Sequence, residues 1–350
     1  MTAVGLPSGL TSTTGRWSGP WRAVLGVLCA VLAFGIVMVF KGVNPVDAYA
    51  DMIRSLTVGD AFSQILVKAT PIIFAALAVA VPARAGLVNV GGEGQLIIGG
   101  VASAGVVFWF ADSMPSAVLM VVMILAAAIA GALWAGLAGL MREKFGINEA
   151  VTTLLMNYLA LDLMYFLIYD SWKDPAGSGQ PATAPVPVSL RLPLIGTTSI
   201  HMGFVMALVA VATVALLIRK TAWGFRIRVV GGNAEAARRS GYRVGLMMIG
   251  ALAVGGLLAG IGGYTQLAGA EFKLRPGFLV TYGYIGFLAS WLGRHRPLPA
   301  AGAAIVLAAL SVGGDSLQID SGLPAASVNI LMALVLLAAF GFSKRKAATS

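Results

Sequence analysis

The residues best suited to chemistry crowd into one stretch, Arg84-Ala-Gly-Leu-Val-Asn-Val-Gly-Gly-Glu-Gly-Gln95, between two short apolar runs. It holds one carboxylate, two amides and four glycines. Polar groups at membrane depth are costly unless paired or lining a cavity, and glycines let the chain turn and expose its backbone. Asn89, Glu93 and Gln95 are therefore candidates for a solute path. The alternative is a solvated loop in which Glu93 pairs with Arg84. A second constellation is Tyr158, Asp162 and Tyr165, which at i, i+4 and i+7 share one helical face, with Asn157 beside it. Aromatic rings and a carboxylate can stack on and hydrogen-bond to a nucleobase or sugar. Pairing of Asp162 with another helix is the competing reading.

A third constellation is basic. In Arg219–Arg243, Asn233 suits a helix N-cap, Ala234–Arg239 a short helix and Gly241 its stop. Such a helix would offer Ala236 and Ala237 to close contact and Arg238 and Arg239 to acidic groups of a partner. A plain topological anchor is the simpler alternative. Catalytic signatures are missing. His201 and His295 have no cysteine or carboxylate at ligand spacing, Cys29 is the single cysteine, and no Gly-Lys dipeptide exists to complete a phosphate-cradling loop. No catalytic residue, metal site or cofactor is expected.

The elements that must position these residues are membrane spans. Of 350 residues, 58% are hydrophobic and 11% charged, against about 25% charged in soluble domains. The net charge of +10 falls in short clusters between apolar runs, which points to membrane lipid and topology and not to nucleic acid. The expected fold is an all-α polytopic protein of about ten spans, some short or broken. They are placed at Trp21–Phe40, Pro71–Ala83, Leu96–Phe110, Ala117–Leu140, Ala150–Tyr169, Gly203–Ile218, Leu246–Leu267, Gly277–Leu292, Leu298–Val312 and Pro324–Phe342, the second, third and ninth being short. The first run is too long for a signal-peptide core and reads as a retained span. One permease domain over 21–342 would lie between cytoplasmic tails at 1–20 and 343–350. Segments 41–67 and 170–200 would lie outside, and 219–245 would form a cytoplasmic loop.

Charge supports this arrangement. With both termini inside, 17 of the 24 basic residues are cytoplasmic, while Asp47, Asp60, Asp112, Asp170, Glu271 and Asp315 are among the acids outside. Tyr49, Met52, Ile53 and Leu56 follow the pattern of an amphipathic helix on the membrane surface. The proline-rich segment Asp170–Ile200 reads as an extended loop, either a connector or a docking surface. Gly256 and Gly260, with Gly263 nearby, and Gly131 with Ala135 have the small-residue spacing of close helix packing.

Asn44-Pro-Val-Asp-Ala-Tyr49, Lys68-Ala-Thr-Pro71, the Arg84–Leu96 stretch, Gly146-Ile-Asn-Glu-Ala150, Met156-Asn-Tyr158 and Gly224–Gly241 occur in that order. Together they resemble the permease subunits of bacterial ABC importers for nucleosides and simple sugars. The resemblance runs from about Val43 to Phe342, and the long loop after Met156-Asn-Tyr158 favours the longer nucleoside branch. It implies two ATP-binding subunits, a second and related permease chain, an external substrate-binding protein, and a location in the cell inner membrane. Asn233, Ala236, Ala237, Arg238, Arg239 and Gly241 would then couple to the ATP-binding subunit. The chain departs from the pattern at Gly283-Tyr284-Ile285-Gly286, where such permeases usually carry an acid in place of Ile285, and this bears on the solute carried. Other readings are a permease for a simple sugar, branched-chain amino acid or flavin, or an ion-coupled secondary transporter using Asp162 or Glu93.

Overall fold

The computed structural model describes residues 19–177, 179–320, 323–324 and 326–341. Among these, the regular elements are helical apart from one isolated bridge between Leu194 and His201. The helices are α1 (Gly19–Phe40), α2 (Pro45–Ser55), α3 (Ala61–Ala83), α4 (Gly92–Phe110), α5 (Ser116–Phe145), α6 (Glu149–Tyr169), α7 (Gly203–Lys220), α8 (Ala222–Gly232), α9 (Ala234–Arg239), α10 (Val244–Gln266), α11 (Tyr282–Leu292), α12 (Pro297–Asp320) and α13 (Ala326–Gly341). Seven described helices are long and apolar enough to cross a membrane: α3, α4, α5, α6, α7, α12, and α10 with the π-helical turn Leu267–Glu271 that extends it. The number is eight if α1 and α2 count as one span.

Two compact units are present, one running from Val46 to Val328 and the other holding α1 and the bulk of α13. In the smaller unit, α1 buries Ala30, Phe34 and Met38, which recur every fourth residue along one side. Both tails, 1–18 and 342–350, lie outside the described residues.

In the larger unit α3 is the central pillar. Every residue from Ala69 to Pro82 is buried, as expected for a helix apolar all round, and α7, α10, α11 and α12 pack around it. The spans expected to be short are not. α3 starts at Ala61, α4 at Gly92 and α12 runs on to Asp320, giving 23, 19 and 24 residues. The apolar runs used to place them stopped at Lys68, Gln95 and Asp315, but those polar groups are paired, so the helices continue through them. Lys68 lies 2.5 Å from the Asp315 carboxylate and 3.5 Å from the Ser311 hydroxyl. The first two turns of α3 thus fall within the segment expected outside, 41–67. The short element is instead α11, whose 11 residues follow a non-helical stretch in which Leu279 and Thr281 hold left-handed φ values of 57° and 75°.

The small-residue spacings mark the tightest helix contact. A Cβ added at Gly131 would lie 3.0 Å from the Cα of Gly260, and one at Gly256 would overlap the Gly131 carbonyl. Gly260 also faces the backbone of Ala127 on α5 and of Gly99 on α4. Without side chains there, three backbones approach closely, which is how membrane helices gain packing in an apolar solvent. The expected surface helix exists as α2, but its buried residues are Ala48 and Met52, and Ile53 is exposed. Met52 packs on Gly313 of α12.

The proline-rich loop after α6 is extended, with one 3-10 turn at Val188–Leu190. Its backbone is tied down: Thr183 donates to the Leu274 carbonyl, Val186 to Phe272 and Leu192 to Ala268. The Arg191 guanidinium stands 4.3 Å over the Phe272 ring.

Candidate functional site

The glycine-rich stretch resolves into a turn, Val88–Gly91, and the first turn of α4. Asn89, Glu93 and Gln95 are all buried. Asn89 and Gln95 exchange a reciprocal pair of side-chain hydrogen bonds at 2.9 and 3.0 Å, and Asn89 also donates to the Ala78 carbonyl of α3. The Glu93 carboxylate accepts the backbone N–H groups of Thr281 at 2.5 Å and Gly283 at 2.6 Å. It thus neutralises the N-terminus of the short helix α11, where unsatisfied donors and the helix dipole favour an anion. The pairing of Glu93 with Arg84 considered above does not form; Arg84 donates to the His295 carbonyl.

Glycine is required here sterically. A Cβ at Gly283 would overlap the backbone of Glu93, and one at Gly94 would lie 2.9 Å from the Cα of Asn157. The same turn is held from α6. The side chain of Asn148 caps α6, and Glu149, ion-paired with Arg142, accepts the Val88 N–H. Val90 N–H donates to Thr153, Gly94 N–H donates to Asn157 at 2.8 Å, and Asn157 donates to the Val90 carbonyl and to the Tyr284 hydroxyl. Asn89, Glu93, Gln95 and Asn157 are therefore brought together as one buried network joining α3, α4, α6 and α11. Their polar groups are engaged with backbone and with one another.

Tyr158, Asp162 and Tyr165 are not part of that network. They lie on the outward side of α6: Tyr158 is 59% exposed, Asp162 is exposed and Tyr165 half-buried, with Leu155, Leu159 and Phe166 exposed along the same stripe. Tyr165 makes an edge contact with Tyr169. Among the described residues no hydrogen bond or ion pair engages the Asp162 carboxylate. At 1.5 Å per residue it stands about 20 Å from the start of α6 and about 10 Å from its end. An aromatic stripe with a mid-span carboxylate can offer stacking surfaces and a strong acceptor to a polar solute.

The basic segment is two helices. Thr221 caps α8, an element not anticipated from the sequence, and Asn233 caps α9 by accepting the Ala236 N–H at 2.9 Å. Gly241 ends α9 with φ 83°. Ala236, Arg238 and Arg239 are exposed, the two arginines paired with Glu235. Ala237, expected to face a partner, instead faces its own chain and is buried against Val230 and Val244. The helix is too short to present both alanines outward, since adjacent residues lie about 100° apart.

Several features had no counterpart in the sequence reading. Thr281, Gly283 and Tyr284 meet Glu93 and Asn157 across more than 120 residues, and only the glycines at 283 and 286 hinted at close packing. Ile285 is buried, so an acid there would be buried too. His201 is fully buried between Gly203 and Gly269, and burial pushes its imidazole down to about 4. A cavity of about 170 Å³ lies between the proline-rich loop and Lys273–Pro276, lined by Asp174, Gln180, Thr183, Lys273 and Arg275 among others.

The family model described as branched-chain amino acid transport system / permease component matches residues 61–340. A glucose ABC transporter permease protein of Haloferax volcanii is 35% identical, over 93% of this chain and 88% of its own length. A guanosine ABC transporter permease protein of Bacillus subtilis is 28% identical, over 90% of this chain and 91% of its own. A nucleoside ABC transporter permease protein of Lactococcus lactis is 26% identical over 89% and 88%.

Proposed function

The chain belongs to the family of branched-chain amino acid transport system permease components, and on that premise we propose that it carries nucleosides or related sugars through the cell inner membrane as the permease of an ABC importer. Relatives named for glucose, guanosine and nucleosides support a solute with a sugar ring. The proposed assembly has a second permease chain, ATP-binding subunits on the cytoplasmic side and an external binding protein. The permease domain is 21–342, with ten spans and both ends cytoplasmic. ATP hydrolysis belongs to the partner, and this chain contributes the path and the coupling surface.

One observation carries the proposed path: Asp162 is exposed within an apolar helix, about 10 Å from its end, and is unpaired among the described residues. A charge held in lipid costs up to about 2.5–3.5 kcal/mol at a span's centre even on the mildest scales. The α6 stripe is thus better covered by a second permease or a water-filled path than by acyl chains. Tyr158, Asp162 and Tyr165 then line the route, a carboxylate accepting from solute hydroxyls between two aromatic surfaces. Asn89, Glu93, Gln95 and Asn157 build the wall behind it.

The test is Asp162→Asn in proteoliposomes containing the whole importer. Uptake should fall at least about tenfold, the worth of one charge-assisted hydrogen bond, while yield and melting temperature stay as in the parent. Unaltered uptake removes Asp162 from the route. Uptake that follows an imposed ion gradient without ATP would replace the ABC reading with the secondary transporter.

A further inference from the structure

We propose that Arg84, Arg228 and Arg296 form a binding site for the phosphate of an anionic phospholipid headgroup. Three separate elements bring them together. Arg84 directly follows α3, Arg228 lies on α8 and Arg296 immediately precedes α12. Gly231 of α8 packs on the backbone of Arg84 and Gly86; a Cβ at Gly231 would lie 2.9 Å from the Gly86 nitrogen. The Arg84 guanidinium reaches across to the His295 carbonyl, next to Arg296, and Arg228 donates to the Ile218 carbonyl. The turn supplying Arg296 is itself strained, with Arg294 and His295 both left-handed at φ 51° and 54°. Consecutive non-glycine residues in that region persist only where the surroundings demand it.

Arg84 is half-buried, and its Nε is buried without a hydrogen-bond partner. Among the described residues no ion pair joins Arg84, Arg228 or Arg296 to a carboxylate. Burial first, and then the like charges of Arg296 and Arg228, hold the Arg84 guanidinium below its ordinary range. A phosphate oxyanion would supply the missing acceptors, and the planar guanidinium fork matches its geometry.

Depth selects a lipid as the source. Arg84 closes an apolar helix of 23 residues and Arg296 opens one of 24, so both stand where a span meets the headgroups. The Trp291 ring lies 4.5 Å from the His295 ring at the same level, and tryptophan concentrates at that boundary. The exposed charges of α9 lie further along the chain and already have Glu235 as a partner.

The test uses the full chain, purified and stripped of lipid in detergent. Its melting temperature is followed during titration with dioleoyl-phosphatidylglycerol, dioleoyl-phosphatidylcholine or sodium phosphate. Phosphatidylglycerol should stabilise at a concentration at least about tenfold below that needed for phosphatidylcholine, the scale expected of a charge-assisted contact. Arg296→Gln, at an exposed position that leaves folding intact, should abolish most of this preference, and Arg84→Lys should reduce it by removing the fork while keeping the charge. Lys173→Gln, an equal charge change on the proline-rich loop, should retain it. Equal response to the two lipids, an unaltered preference in Arg296→Gln, or the same stabilisation by sodium phosphate would each overturn the lipid assignment. So would a chain indifferent to phosphatidylglycerol whose Arg296→Gln variant loses only its ATP-binding subunit.

Discussion

At the scale of single residues, Glu93 shows how a buried carboxylate can hold a short helix in place. Its two oxygens take up backbone donors at the start of α11, a helix too short to be stable alone and preceded by strained backbone. Hydrogen bonds to charged groups contribute about 1.5–3 kcal/mol each. Glu93→Gln, which keeps one acceptor but turns an amide N–H₂ toward backbone donors, should therefore destabilise by about 2 kcal/mol, and Glu93→Ala by more. Thermal unfolding of the purified chain reads this directly. A variant that melts like the parent but fails to transport would move Glu93 from the wall into the solute path. The polar character of the Arg84–Gln95 stretch was legible from residue types alone. Its partners were not, because Thr281 and Gly283 lie far along the chain and donate through backbone, which leaves no mark in side-chain composition.

At the scale of elements, helix ends read from capping residues were reliable where the cap is local. Asn233 and Gly241 bound α9 as their chemistry requires, because each acts through neighbouring backbone. Span ends read from hydropathy failed at Lys68, Gln95 and Asp315, since ion pairing and hydrogen bonding let a helix carry polar groups that a window average penalises. Which face of α9 turns outward was equally hidden, because it depends on Val230 and Val244 from neighbouring segments. That correction changes the coupling experiment. Ala237→Asp would bury a charge against those valines and lower the amount of folded chain. Ala236→Asp, at an exposed position, should leave folding intact and abolish stimulation of ATP hydrolysis by solute in the assembled importer. Normal coupling in Ala236→Asp would exclude this face of α9 as the contact with the ATP-binding subunit.

At the scale of the whole molecule, the described helices give seven or eight candidate spans, and the proposed ten-span topology makes a direct demand on accessibility. Cys29 is exposed and is the single cysteine, so Cys29→Ala provides a blank background. A cysteine at Gly177, beside the cavity of the proline-rich loop, should react with an impermeant reagent in intact cells. One at Ser240, after α9, should react only once the membrane is opened. Labelling of Ser240 from outside would invert the arrangement and separate α9 from the ATP-binding subunit. The outward stripe of α6 also has a consequence for biogenesis. If the proposed second permease covers Asp162, a chain made alone presents that charge to lipid and is open to recognition by membrane quality-control proteases. Synthesised alone, it should turn over faster than when made with the proposed second permease, and Asp162→Leu should slow that turnover by removing the exposed charge. Pulse-chase measurement of the orphan chain would then read its dependence on that second permease from protein lifetime.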